Sequence, residues 1–448
     1  MRNILPLLLM TLAAGAARAG ELTLPQAAGL MIQNNPALAQ KQIQSEMAAQ
    51  QSGRSRAAYF PQLDFVQGWT RSNNPVFSFG SLLNQQRFTS NDFALDSLNH
   101  PDPINDVSSR FQLGWLLFDF GRRESQVHSV ASMARIAELT RDATQTGLLQ
   151  ELVKRYYAVS LAQQRLATAA DTLQSAESRR TQATERVAQG LAVATESLSA
   201  EVYVARARQE KIDAENQVRL ARAALIEILG TRPQESAEEI DTAPLKETAF
   251  DEHGLPWWMD QMRANRPELK MAAEGVKMAG NQVTATRAGF LPSIQAFSAY
   301  EWHGDSLSYT GENWTAGLEL RWNLFRGFSD SKEVSAARLR QREADQRRRE
   351  TENALALQLE SAYYRLDSAR EKLKVASAVL EQAAENRRIY ADRYQTGLAS
   401  IQDSLQAEAS HSESRLMYLM NLYELYVAHA ELLAAAGMPE QIVGGDAS

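Results

Sequence analysis

The pattern of apolar and polar positions along the chain alternates between two periods, and it does so twice in the same order. Leu38 to Ala58 is helical in composition and free of proline, and Pro61 ends it, because proline cannot donate and disfavours helix in the residue before it. The period then drops to two. Leu63, Phe65 and Trp69, then Phe111, Leu113, Trp115 and Leu117, alternate with Gln62, Asp64, Gly68, Arg110, Gln112 and Gly114. Farther on, Trp314, Ala316, Leu318, Leu320 and Trp322 alternate with Thr315, Gly317, Glu319, Arg321 and Asn323. Strands are predicted over Leu63 to Thr70, Phe111 to Leu117, Ile294 to Trp302 and Trp314 to Trp322, each with one apolar and one polar face. After Phe120-Gly121 and Arg326-Gly327 a helical pattern persists to Gln189 and Thr396 without a proline. Nearly 70 residues at 1.5 Å each predict rods of roughly 100 Å, a coiled-coil length. Each rod turns back at a glycine, Gly190 or Gly397, into a second helix of about 40 residues that ends at Gly230 or Gly437.

Fixed offsets make this an internal two-fold repeat. Asn35-Pro36-Ala37-Leu38 matches Arg266-Pro267-Glu268-Leu269, and Tyr59-Phe60-Pro61 matches Phe290-Leu291-Pro292, both at 267 − 36 = 292 − 61 = 231. Phe118, Tyr157, Gly190 and Gly230 match Phe325, Tyr364, Gly397 and Gly437, all at 325 − 118 = 437 − 230 = 207. The first copy therefore carries 231 − 207 = 24 extra residues between Pro61 and Phe118. They fall in the connection Ser72 to Val107, read as an external loop, in which Asn74 to Gly80 reads as ordered. The expected organisation is a signal peptide over 1–19, a first repeat over 20–230, a charged linker or equatorial segment over 231–258, a second repeat over 259–437 and an unordered tail over 438–448. The signal peptide rests on Arg2, the apolar run Ile4 to Ala17 and the small residues Ala17 and Ala19.

Composition narrows the class. Beyond the leader no apolar run reaches the roughly 18 residues of a membrane helix, so membrane attachment falls to the strands. Five of the seven tryptophans, Trp69, Trp115, Trp302, Trp314 and Trp322, lie in or at the ends of strands, as in interfacial girdles. Four strands leave two open edges, and lipid tolerates no unpaired backbone, so several chains must share one closed barrel. A net charge of −7 excludes a nucleic-acid partner, and zero cysteines exclude a disulfide framework and a lipid-acceptor thiol. His100, His128, His253, His303, His411 and His429 are scattered and no catalytic motif surrounds them, so neither an enzyme nor a cofactor is expected. A periplasmic coiled-coil scaffold is the alternative that would explain the rods, though not the tryptophan-edged strands.

The duplicated layout resembles the TolC family of outer-membrane efflux proteins. Ala384-Glu385-Asn386, Arg393 to Ser400 and Asp403 to Glu408 carry the resemblance, with Arg186 to Leu191 and Glu196 to Glu201 as a weaker twin, within a likeness that spans Leu22 to Gly437. The resemblance implies an α+β membrane protein of the outer membrane of a Gram-negative bacterium. It implies a homotrimer in which four strands per chain make a twelve-stranded barrel, continued into a periplasmic helical tunnel. It also implies a periplasmic adaptor and an inner-membrane transporter as partners, beside outer-membrane lipid. At the turns, Gly190, Leu191, Gly397, Leu398 and Ala399 are expected to meet the adaptor. Asp403, Glu196 and Gln406 are expected at a constriction, where the polar stripe Asp403, Gln406, Ser410 and Glu413 faces either the bore or the outer water. Arg186 and Arg393 are expected to pair with neighbouring carboxylates and hold the mouth shut. Nothing in the chain encodes the cargo.

Overall fold

The computed structural model describes residues 22–230, 240–248, 250 and 253–444. The signal-peptide reading, most of the acidic part of the linker and the last four residues fall outside them. The described chain divides into two compact units, one built from Ile43–Thr140 and Glu268–Thr351 and the other from the remaining segments.

The repeat is visible element by element. Helices α1 (Leu24–Asn34) and α2 (Pro36–Ser55) lead into strand β1 (Gln62–Ser72), and after the long connection comes β2 (Ile104–Phe118). The connection holds α3 (Pro75–Asn84) and α4 (Leu95–Asn99), so it is structured throughout much of its length. Helices α5 (Arg122–Ala188) and α6 (Ala194–Leu229) complete the first copy. The second copy runs α7 (Leu255–Asn265), α8 (Pro267–Ala288), β3 (Ser293–Gly304), β4 (Gly311–Arg321), α9 (Ser329–Gln395) and α10 (Ile401–Ala436), followed by α11 (Pro439–Gly444). Helix starts repeat at 255 − 24 = 267 − 36 = 231 before the sheet and at 329 − 122 = 401 − 194 = 207 after it.

Three differences from the expected boundaries have local causes. Helix α7 begins at Leu255, inside the stretch read as linker, because Pro256 stands in the first helical turn, where its missing N–H costs nothing. The tail reading is corrected likewise: Pro439 opens α11, whose Ile442 is buried. Strand β2 starts seven residues before Phe111, since Asp106, Ser108 and Ser109 break the apolar alternation yet remain in the ladder.

The unit formed by Ile43–Thr140 and Glu268–Thr351 carries one antiparallel sheet in the order β1-β2-β3-β4. Register sorts its two faces: Leu63 pairs with Leu113, which pairs with Ser298, which pairs with Ala316; Val66 pairs with Arg110, and Arg110 with Glu301. The apolar side chains stand on one face and Asp64, Arg110, Gln112, Glu301 and Glu319 on the other. Trp314 and Trp322 bracket the fourth strand eight residues apart, about 26 Å of strand at ~3.3 Å per residue, which at a tilt of about 40° rises roughly 20 Å, most of the ~25 Å apolar band of a membrane strand. At the helix end of the sheet the indoles of Trp115 and Trp322 donate to the Tyr59 and Phe290 carbonyls, each at 3.0 Å.

In the other unit the core lies among α1, α5, α6, α7 and α10, with Met31, Leu152, Leu225, Ile226, Met262 and Leu422 almost wholly buried. The residue preceding each repeat's proline ties down the end of a returning helix: Asn35 Nδ2 donates to the Ile228 carbonyl and an Arg266 guanidinium nitrogen to the Ala434 carbonyl, both at 2.8 Å. These bonds satisfy carbonyls that a helix C-terminus leaves orphaned. Segment 240–248 is pinned to α5, where the Tyr156 hydroxyl accepts from the Ala243 N–H at 3.2 Å and Ser160 Oγ accepts from the Leu245 N–H at 2.9 Å.

Candidate functional site

The two hairpin turns close alike. Gly190 (φ 75°) and Gly397 (φ 76°) adopt the left-handed conformation that ends a helix at little cost only for glycine. The following N–H groups, of Leu191 and Leu398, return to the Arg186 and Arg393 carbonyls, each at 2.8 Å. This pairing is the Schellman closure, in which an apolar residue after the glycine usually packs on the last helical turn. Here the positions it would pack against are Arg186 and Arg393, and the leucines are 66% and 78% exposed. They are displayed, and Val193 and Leu198 beside them are exposed as well. Sequence reading passed over these last two; their signal was an apolar residue on each side of the α6 start with no core to join.

Above the turns, Ala183, Ala200, Tyr394, Ile401 and Leu405 form a small core with Tyr203 packed on it. Burial, reinforced by the Glu408 charge, pushes the Tyr203 hydroxyl up to about 12. The small side chains of Ala183 and Ala200 leave room for the Tyr394 ring in this cluster.

Among the described residues Arg186 pairs with no carboxylate. Its guanidinium donates to the Tyr394 carbonyl at 2.9 Å and lies 5.0 Å over the Tyr394 ring. The last carbonyls of α9 carry the negative end of the helix dipole and are a ready acceptor for a cation. Arg186 thus straps the end of α5 to the end of α9, two segments 394 − 186 = 208 residues apart. Arg393 is exposed and, among the described residues, makes no ion pair. Three polar atoms beside the strap are buried with no hydrogen-bond partner: Arg186 Nε, Glu196 Oε2 and the Tyr394 hydroxyl. Burial first, then the Glu196 charge, raises the Tyr394 hydroxyl above its ordinary value.

Glu196 and Asp403 both occupy the first turn of a returning helix, because α6 starts at Ala194 and α10 at Ile401. Their environments differ. Ser400 caps α10 in a reciprocal box, the Ser400 hydroxyl and N–H donating to Asp403 Oδ2 at 2.7 and 3.1 Å and the Asp403 N–H returning to Ser400 Oγ at 3.2 Å. These bonds, the hydroxyl's above all, hold the Asp403 carboxyl below the usual carboxylate range. In the first copy the cap position is Val193, which offers no side-chain acceptor, and Glu196 turns toward Tyr394.

Asp403 and Gln406 line an open groove between α6 and α10, together with Leu198, Val202 and Arg206. Ile401 and Leu405 are buried, Leu405 at the floor of this groove, while Asp403, Gln406 and Glu413 are exposed. The structure thus brings Arg186 and Glu196 together around Tyr394 and sets Asp403 and Gln406 in a separate groove. Among the described residues no cluster of side chains could hold a metal ion, and no helix is long and apolar enough to cross a membrane.

A sheet with one apolar, tryptophan-edged face and paired helical hairpins with displayed tips defines a membrane duct and not an enzyme. The chain belongs to the outer membrane efflux protein family, whose model matches residues 27–231 and 258–438. It is an outer-membrane exit duct of the tripartite efflux or type I secretion kind, which extends into the periplasm, and the family works with a periplasmic adaptor and an inner-membrane transporter. Among relatives it is 26% identical over 440 residues to Protein CyaE of Bordetella pertussis, covering 96% of this chain and 87% of that one. It is 23% identical over 342 residues to outer membrane protein OprJ of Pseudomonas aeruginosa, covering 74% and 71%. Among solved structures, VceC of Vibrio cholerae superposes with a TM-score of 0.77 at 18% identity, over 92% of this chain and 96% of that one. The open state of the Neisseria gonorrhoeae MtrE channel does so at 0.76 and 18%, over 95% and 94%.

Proposed function

We propose that three copies of this chain share one twelve-stranded barrel, and that the hairpin tips form the periplasmic mouth on which the adaptor docks. The observation that carries the trimer is the open sheet: β1 and β4 each pair on one side only, and an unpaired strand edge has no partner in lipid. Four strands per copy close with three copies at a strand number common for such barrels. The exposed leucines at Leu191 and Leu398, with Gly190, Gly397 and Ala399, supply the adaptor surface. Asp403, held ionised by its cap, with Gln406 and Glu196, sets an acidic character at the constriction, and the Arg186 strap favours the closed mouth.

The chain has no cysteine, so introduced thiols report cleanly. Cysteines on the outward edges of β1 and β4, at Val66 and Thr315, should form disulfides between chains in outer membranes and yield covalent dimers and trimers on denaturing gels. Monomers alone, or a ladder running past three, would overturn the assembly.

A further inference from the structure

We infer that the 24-residue insertion of the first repeat is a lid, folded over the bore side of the sheet at the external mouth, that limits what enters from outside. The inference rests on the duct reading, which sets the sheet's polar face toward the bore. The insertion is not a free loop. Phe88 packs edge-on against both Phe79 and Phe93, with ring centres 5.0 Å apart in each pair, so it has an aromatic core of its own. Its anchor is Gln85 at the end of α3, a polar side chain with no exposed surface. Gln85 Nε2 donates to the Asn105 carbonyl at 2.8 Å and to Asp106 Oδ1 at 3.0 Å on β2, and its own carbonyl accepts from the Thr310 hydroxyl at 2.6 Å.

The side from which the insertion docks follows from the register. Asp106 stands on the same face as Arg110 and Gln112, and Asn313 on the same face as Glu319 and Arg321, the polar face. Asn313 Nδ2 donates to the Asn84 carbonyl at 3.3 Å, and a Cβ at Gly311 would collide with that same carbonyl. Asp106 is held from the other side by His303 Nδ1 at 3.1 Å, also a polar-face residue. At the rim Arg87 pairs with Asp305 at 2.7 Å. The end of α3 therefore touches β2 and β4 from the bore side, and beside them the β3–β4 turn. In the second repeat the equivalent connection between β3 and β4 is only the six residues 305–310 and has no room for such a lid.

The test uses intact cells and single cysteines in the full chain. Ala299 lies on the polar face four residues inward from His303, about 13 Å of strand; Leu318 lies on the apolar face. Deleting Pro75–Asn99 leaves a six-residue connection, the length found in the second repeat. A small impermeant maleimide should label Ala299→Cys in both backgrounds. A maleimide on a bulky polyethylene glycol chain should label it at least ten-fold faster once the lid is deleted, and Gln85→Ala, which keeps the insertion and removes its anchor, should give an intermediate gain. Equal rates for the bulky reagent in the full chain and the deletion would overturn the lid. Should the deletion fail to assemble, the same rate in Gln85→Ala as in the full chain overturns it. Failure of the duct reading looks different: Leu318→Cys would then react with the small reagent as fast as Ala299→Cys.

Discussion

Trp115 and Trp322 stand 322 − 115 = 207 residues apart and make the same hydrogen bond, each indole N–H donating at 3.0 Å to the carbonyl of Tyr59 or Phe290, themselves 231 apart. Each bond ties the membrane-entry end of a strand to the turn that ends the preceding helix. In the first copy Arg123 adds to it, donating to the Ala58 carbonyl at 3.1 Å and to the Leu116 carbonyl at 2.6 Å while lying 4.5 Å over the Tyr59 ring. In the second copy position 330 is Asp, so Trp322 acts there without that arginine. Removing the N–H while keeping an aromatic ring, as in Trp322→Phe, should cost about 1 kcal/mol, the net worth of one such bond. Trp115→Phe should cost less, since Arg123 remains. Heat dissociation of the purified oligomer measures the difference; a larger loss at Trp115 contradicts this account.

Face assignment in the sheet predicts a second outcome. Leu113 and Leu320 belong to the apolar face by register, and Leu320 is 61% exposed in the single chain. An arginine at a lipid-facing site near the membrane centre costs about 2 to 4 kcal/mol. Leu113→Arg and Leu320→Arg should therefore lower the amount of oligomer in outer membranes, whereas Thr315→Arg on the polar face should leave it unchanged. Normal assembly of both leucine variants would reverse the faces.

At the tips, the exposed leucines predict a defect in transport without a defect in assembly. Leu398 is 78% exposed and touches none of the buried tip core, so Leu398→Asp should leave oligomer yield and heat resistance as in the parent. Export measured in cells should fall at least ten-fold, and Leu191→Asp should act likewise. Unaltered export by both variants would remove the tips from the docking surface.

How much of this was legible in the sequence depended on whether a feature repeats or reaches across the chain. The long helices, their glycine turns and the 24-residue surplus follow from fixed offsets, which composition alone cannot maintain. Helices α1 and α7 are harder to read because proline ordinarily interrupts a helix, whereas Pro25 and Pro256 each stand in a first turn. The outer half of β2 was hidden because Asp106 and Ser109 look like loop residues; Gln85 satisfies the first and the Tyr309 and Gln67 side chains the second. Asp403 was legible as a carboxylate past the turn, but not as a cap partner, since the helix start was placed too early. The Arg186–Tyr394 strap joins positions 208 residues apart with no complementary charge to announce it, and nothing in a single sequence points to it.

The strap and the cap together predict how the mouth conducts. Arg186 holds the end of α9 through the Tyr394 backbone carbonyl and the face of the ring, not through the Tyr394 hydroxyl, which has no partner. Arg186→Ala should therefore raise the single-channel conductance of purified oligomers, while Tyr394→Phe should leave it near the parent value. At the proposed constriction the charge is that of Asp403. Its carboxyl sits below the ordinary carboxylate range because Ser400 hydrogen-bonds the ionised form, so the resulting stabilisation is fully present above the unfolded value of about 4 and is lost as pH falls through the lowered folded value. Cation preference should accordingly stay level from about pH 7 to about pH 5 and decline only in stronger acid. Ser400→Ala should move that decline to higher pH, toward the ordinary carboxylate range, and Asp403→Ala should weaken cation preference at every pH. Unchanged ion selectivity in Asp403→Ala would take the carboxylate out of the conduction path, and unchanged conductance in Arg186→Ala would show that the strap does not hold the mouth.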